Sequence, residues 1–366
     1  MKTPRIEILD PLRGLAALAV AWFHFTTCNA FLQSAWLKAS GTYGWLGVDV
    51  FFVISGFVIP YSMYAGGYHP RQHFVRFLGK RLARLEPPYL MSLILVISLA
   101  YLKPLVFPET AESKPPFSVP QLLLHLGYLN TFFDYEWLTP VYWTLGIEFQ
   151  YYLFVALVYP LLASRRAILG PLSVLALASL ALLVKSPIFV FHFLGLFAFG
   201  ILAFQYHVRL LPRKAFLAAI LLVSAITAAS LTWVIAVVGG VTALVIAFVP
   251  MPRSSALKVF VYFGTISYSI YLLHTIIGGP VVHIGSRFGS GPAWEVAILT
   301  AAIGASLLAA MVFHQLVERP AQGLSSRIKY SAWSAAALRT SLDSGKPATI
   351  GTGQQSELRV GSVNCG

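Results

Sequence analysis

The apolar residues of this chain gather into about ten runs of roughly 17–25 residues, the length at which a helix crosses a hydrocarbon layer ~30 Å thick. They lie near 9–30, 46–66, 87–106, 141–163, 168–184, 188–206, 214–231, 233–250, 258–279 and 294–317. The segments between them hold too little charge to dress a water-facing surface. Charged side chains make up 11% of the 366 residues and apolar ones 57%, against about 25% charged in an ordinary soluble domain. Only a structure that satisfies its own backbone survives in lipid. The expectation is therefore an all-α, polytopic transmembrane helix bundle of about ten helices.

A net charge of +13 and a pI of 9.8 would also suit a nucleic-acid partner. Here, however, the basic residues sit in short segments between apolar runs, without a binding motif, so no nucleic acid is expected. Arg71, Arg76, Lys80, Arg81 and Arg84 fall in one segment, and Arg209, Arg213 and Lys214 in another. The alternate segments carry only Lys38, Lys103, Lys114, Lys185 and Arg287. This asymmetry puts both termini in the cytoplasm. It also decides the uncharged stretch Ala215–Val249, whose two ends must face the same side: two helices joined near Ser230–Trp233 satisfy that, and one does not.

Glu7, Asp10 and Arg13 interrupt the place where a cleavable signal would begin its apolar core, so the first run is expected to stay as a helix. Cys28 and Cys365 imply neither a disulfide framework nor a metal pair. The outer loop at 107–140 includes an apolar piece, Gln121–Phe133, too short to span and hence interfacial or re-entrant. Residues 1–325 read as the transmembrane domain. Residues 326–366, rich in Ser, Gly, Ala and Thr, read as a flexible cytoplasmic tail. There is no internal repeat of the kind on which many transporters are built.

Ionisable residues within apolar runs are costly and mark functional positions. Arg13 and His24 are eleven residues apart in the first run, which places them on one helix face about 16 Å from each other. By depth, His24, Asp49, Glu148 and His274 all fall in the outer half of the bilayer. A histidine and a carboxylate at one depth are the minimum for general-base activation of a hydroxyl, although depth does not establish a shared azimuth. On the inner side, Arg76, Lys80 and Arg84 share one helix face, with Arg81 beside them. Such a face could clamp the phosphates of a nucleotide-bearing donor, but spacing alone favours ordinary anchoring to an anionic lipid surface. No residues have metal-ligand spacing.

These residues carry a family resemblance. The string Leu9-Asp10-Pro11-Leu12-Arg13-Gly14-Leu15, with the Arg13/His24 pair, resembles the opening motif of the acyltransferase-3 family of integral membrane acyltransferases. Gly47-Val48-Asp49-Val50-Phe51-Phe52-Val53-Ile54-Ser55-Gly56-Phe57 is similar to its second and most specific motif. The basic segment Arg76 to Tyr89, Trp143 to Phe149, Ser267 to His274 and Glu318-Arg319-Pro320 follow in family order over about residues 6–325. Pro11 stands where a glycine is more usual, and a proline is tolerated in a helix's first turn. Some members add a hydrolase-like extracytoplasmic domain; this chain resembles a stand-alone member.

The resemblance implies an enzyme of the plasma (inner) membrane of a bacterium. It would move an acetyl or other short acyl group from acyl-CoA, a co-substrate and not a resident cofactor, to a hydroxyl of a glycan or glycolipid. In that reading His24 is the general base or a transient acyl carrier, oriented by Glu148 or Asp49. Arg13, Arg81 and Arg84 hold the donor phosphates. His274 has either an acceptor-side role or a structural one, and Ser55, Gly56 and Gly47 serve helix packing. The same buried charges also suit a rival of another class, a proton-coupled transporter or flippase of a lipid-linked sugar.

Overall fold

A computed structural model describes residues 6–106, 116–166, 168–250 and 255–329. Among these residues there is no β-strand, and every apolar run lies on helix. The chain begins with α1 (Leu9–Thr26), a short α2 (Ala35–Ser40), α3 (Gly47–Ala65) and α4 (Pro70–Val106). The outer segment contributes α5 (Val119–His125) and a single 3-10 turn, Asn130–Phe133. Then come α6 (Tyr142–Leu162), α7 (Leu169–Leu183), α8 (Leu194–His207), α9 (Arg213–Ser230) and α10 (Trp233–Phe248). The remainder is α11 (Ser255–Thr265), α12 (Ser267–Leu273), α13 (Gly279–Gly285), α14 (Pro292–Phe313) and α15 (Arg319–Arg327).

Among the described residues, six helical stretches are long and apolar enough to cross a membrane, and seven if α11 and the helix from Ser267 to Gly285, bent by 62° at Ile266, form one span. α7 and α10 are apolar but shorter. α1 stands outside that set because Asp10, Arg13 and His24 dilute its apolar residues. The uncharged stretch divides as the charge argument requires. Leu231 leaves the helical region, and the Thr232 hydroxyl accepts the Ile235 amide at 3.3 Å to start α10. In α4, the basic face and the apolar span, separate in the sequence reading, are one helix of 37 residues running through Pro87 and Pro88. Prolines are tolerated in such helices because neighbouring helices and local adjustments satisfy the freed carbonyls; next to this pair the Leu85 carbonyl also accepts the Tyr268 hydroxyl, at 3.0 Å. Of the expected tail, Ser326 and Arg327 close α15, and residues 330–366 lie outside the described residues.

Glycines set the closest helix crossings, as they do where lipid supplies no hydrophobic drive between helices. A Cβ on Gly56 of α3 would strike the Phe197 carbonyl, and one on Gly200 of α8 the Val53 carbonyl. The core around this crossing is aromatic: Phe57, Phe197, Phe199 and Phe204 are fully buried, and Tyr151 stacks on Phe197 at 3.9 Å. Two π turns interrupt the C-terminal helices, His274–Gly278 between α12 and α13 and His314–Glu318 between α14 and α15. Each opens on a histidine. Insertions of this kind concentrate at functional positions because they re-aim the side chains of one turn.

Candidate active site

One cavity collects charge from across the bundle. Arg13 reaches it from α1, Arg81 and Arg84 from α4, Glu148 and Tyr152 from α6, Tyr268 and Tyr271 from α12, and Glu318 from the second π turn. On α4, Arg81 and Arg84 are three residues apart and share the inward face, while Arg76 is exposed. The Arg81 Nη2 donates to Ser62 Oγ at 2.5 Å, and its guanidinium lies over Phe77 and Tyr152 at 5.6 and 5.9 Å. Arg84 is within electrostatic reach of Arg13, Arg81 and Glu318.

The carboxylates of this cavity are occupied by other donors. Ser55 Oγ and the Tyr152 hydroxyl both donate to Glu148 Oε1, at 3.1 and 2.5 Å. Glu318, 3% exposed, accepts from Ser269 Oγ at 2.6 Å and Gln322 Nε2 at 2.9 Å, and faces His314 Nδ1 at 2.9 Å. Among the described residues, no ion pair within 4 Å joins Arg13, Arg81 or Arg84 to either carboxylate. Arg13 Nε and Arg81 Nε are buried without a hydrogen-bond partner. A buried set of guanidinium donors with capacity to spare is suited to a multiply charged anion.

The second feature is a histidine pair. His24 of α1 and His274, at the start of the first π turn, have ring centroids 5.3 Å apart. His274 is fully buried. Its Nδ1 lies 3.1 Å from the Ile270 carbonyl, which favours a proton on that nitrogen and leaves Nε2 as an acceptor. That Nε2 is buried and has no partner. Tyr271 connects the two features: it lines the arginine cavity, and its ring is 6.1 Å from that of His274.

The structure thus brings Arg13, Arg81, Arg84 and Glu148 to one cavity, and His24 to His274. It does not join His24 to a carboxylate. Among the described residues neither Glu148 nor Asp49 hydrogen-bonds His24; Asp49 is 5% exposed, with Oδ2 unpartnered, in the first turn of α3. Tyr152 and His314 were not singled out from sequence, and Glu318 only as part of the closing motif. The i, i+4 spacing of His314 and Glu318, next to the closing Glu318-Arg319-Pro320 string, was the available signal. Ser55 differs from its packing neighbours, since it bonds Glu148, whereas an added Cβ on Gly47 or Gly56 would meet a backbone carbonyl.

Outside the spans, His125 ties the outer segment to the bundle. The Leu138 amide donates to its Nε2 at 3.4 Å, and Nδ1 lies 2.9 Å from the Tyr89 hydroxyl. Burial pushes this imidazole down from 6.5 to about 4. Below pH 6.5 the unfolded segment takes up a proton that the folded one refuses, so its stability is complete above that pH and declines toward pH 4. Protonation also removes the acceptor for Leu138. Protection of residues 116–141 against hydrogen exchange, taken relative to the intrinsic exchange rate at each pH, is expected to fall between pH 6.5 and 4 in the wild type and to be nearly flat in His125→Gln.

Comparison with known proteins agrees with this geometry. A family model described as an acyltransferase domain matches residues 6–313. The O-acetyltransferase OatA of Staphylococcus aureus (strain NCTC 8325 / PS 47) is 29% identical over 204 residues, 53% of this chain and 31% of OatA. BcsY of Komagataeibacter xylinus, provisionally named a membrane-bound transacylase, is 33% identical over 173 residues, 44% of this chain and 40% of its own. ORF330 of Acidianus two-tailed virus, provisionally named an acetyltransferase, is 24% identical over 297 residues, 75% of this chain and 83% of its own. The chain therefore spans less than half of OatA and of BcsY. No solved structure matches it. With the family model covering most of its length, this chain, which has helices long and apolar enough to cross a membrane, belongs to the acyltransferase-3 family.

Proposed function

We propose that the protein is an O-acyltransferase that moves an acetyl or other short acyl group from acyl-CoA to a hydroxyl of a carbohydrate-type acceptor. The observation that carries the donor assignment is the arginine cavity. Three guanidinium groups from α1 and α4 face one space, unpaired with its carboxylates, and the space adjoins the His24/His274 pair through Tyr271. Acyl-CoA has the matching form: phosphates at one end, the reactive thioester at the other, and a long flexible arm between. Arg13 and His24, about 16 Å apart along one helix, mark the two ends. The excess of basic residues in alternate segments supports a cytoplasmic position for the arginines. The acceptor class is supported by the relatives: OatA is an O-acetyltransferase and BcsY is provisionally a transacylase.

The reaction needs one proton carrier. His24 takes the proton of the acceptor hydroxyl as its oxygen bonds to the acyl carbon. The C–S bond breaks, and the departing CoA sulfur receives that proton, so ester and free thiol leave. In the two-step form an imidazole nitrogen of His24 first takes the acyl group from sulfur and then yields it to the hydroxyl. Glu318, within electrostatic reach of Arg84, offsets part of the repulsion Arg84 meets from Arg13 and Arg81.

The test is the full chain in nanodiscs with acetyl-CoA labelled in its acetyl group, incubated with mixed bacterial glycans. Label appearing in ester linkage to glycan, with free thiol released in equal amount, is the expected result. A lipid-linked sugar that, with the protein in sealed vesicles, crosses the bilayer chemically unchanged while acyl-CoA is untouched would overturn it in favour of a carrier.

A further inference from the structure

A second cavity lies beyond the histidine pair. The helix from Ser267 to Gly285 forms a wall of both: Ser267, Tyr268 and Tyr271 face the arginine cavity, while Thr275, Gly279 and His283 face the second one. His274 occupies the seam between them, at the residue where α-helix becomes π turn. The opposite wall of the second cavity is the end of α4, with Thr139 and Pro140 closing one side.

Three properties of this cavity point to its occupant. Its α4 wall is apolar and faces outward, with Leu99 39% and Leu102 52% exposed, so a hydrocarbon chain can enter from the bilayer without crossing water. Cations stand at its edge: Lys103 lines it and is exposed, and His283 lines it with Nε2 3.3 Å from Arg287 Nη2. Lys103 lines the cavity directly and Arg287 reaches its edge through His283, and both are among the few basic residues of the alternate segments. Finally, the Thr275 hydroxyl, one residue from His274, is buried without a hydrogen-bond partner. A buried unsatisfied hydroxyl is costly unless a ligand completes it.

Resting on the acyl-transfer reading above, we propose that this cavity binds the acceptor, and that the acceptor is lipid-linked. It is a glycan carried on a phosphorylated long-chain lipid, with its chain along Leu99 and Leu102, its phosphate at Lys103 and Arg287, and a sugar hydroxyl against Thr275 and the histidine pair. Donor and acceptor then approach His24 and His274 from opposite cavities, and neither must leave for the other to enter.

The test needs no acyl donor, so its failure is separate from failure of the transfer reading. The full chain in nanodiscs is photolabelled with a diazirine-bearing polyprenyl phosphate, and the labelled peptides are identified. Label is expected in 96–103 and 275–288, displaced by unlabelled polyprenyl phosphate and not by an equal excess of phosphatidylglycerol or inorganic phosphate. A Cβ at Gly279 meets no atom within 4 Å, so Gly279→Phe fills the cavity without striking backbone. It should cut labelling about tenfold or more, as loss of one well-made contact does. Lys103→Gln, an exposed change that does not threaten folding, should weaken it several-fold. Gly304→Phe, also unobstructed and away from both cavities, should label as wild type. Equal displacement by phosphatidylglycerol would make the cavity an ordinary lipid groove and overturn the proposal, as would full labelling in both Gly279→Phe and Lys103→Gln.

Discussion

His24→Ala is expected to lower acyl transfer by about a hundred- to ten-thousandfold, the range supplied by a positioned proton carrier. Alanine is the best helix former, and His24 is only partly buried, so α1 should persist and with it the approach of Arg13 to the arginine cavity. The loss should therefore fall on kcat, with KM for acyl-CoA little changed. His24→Gln keeps a polar side chain of similar reach but transfers no proton, and should be as inactive. His274 is fully buried with its ring 5.3 Å from His24, so His274→Asn should cost activity as well. If the two act as a unit, the double variant will be no worse than the worse single one. Labelled acetyl-CoA turnover with the three variants decides this. A His24→Ala enzyme with near-normal kcat would remove His24 from the chemistry and leave His274 as the base.

The contrast between what the chain discloses and what it conceals follows from dimension. Helical runs and spacing along a helix are one-dimensional, and both are legible. The division of Ala215–Val249 into α9 and α10 followed from charge at its two ends, and the Arg13/His24 face followed from helical pitch. Azimuth is not one-dimensional. Glu148 and His24 were expected at one depth, yet Glu148 turns toward Ser55 and Tyr152 in the arginine cavity, while His24 turns toward His274. The π turns were invisible for a related reason. One extra residue in a turn leaves hydrophobic periodicity nearly intact over a window, but it rotates everything beyond it and so sets where Thr275, Gly279 and Glu318 face. The basic face of α4 was legible as a pattern, but its burial at Arg81 and exposure at Arg76 depend on helices distant in sequence.

That burial makes the arginines separable from membrane anchors by experiment. A hydrogen bond to a charged group is worth about 1.5–3 kcal/mol, so Arg84→Gln or Arg13→Gln should weaken acyl-CoA about ten- to a hundredfold, with kcat changed far less. Arg81→Lys should be nearly as poor as Arg81→Gln, because lysine cannot both bond Ser62 and lie flat over Phe77 and Tyr152. A truncated donor makes the assignment specific. Acetyl-pantetheine has the thioester and the arm but lacks the nucleotide and its phosphates. Wild-type enzyme should use it poorly through a raised KM. The arginine variants, having already lost the phosphate contacts, should discriminate little between it and acetyl-CoA. If instead each variant lowers activity on both donors by the same factor, the guanidinium groups hold the bundle together and do not read phosphate. The donor would then have to be sought outside this cavity.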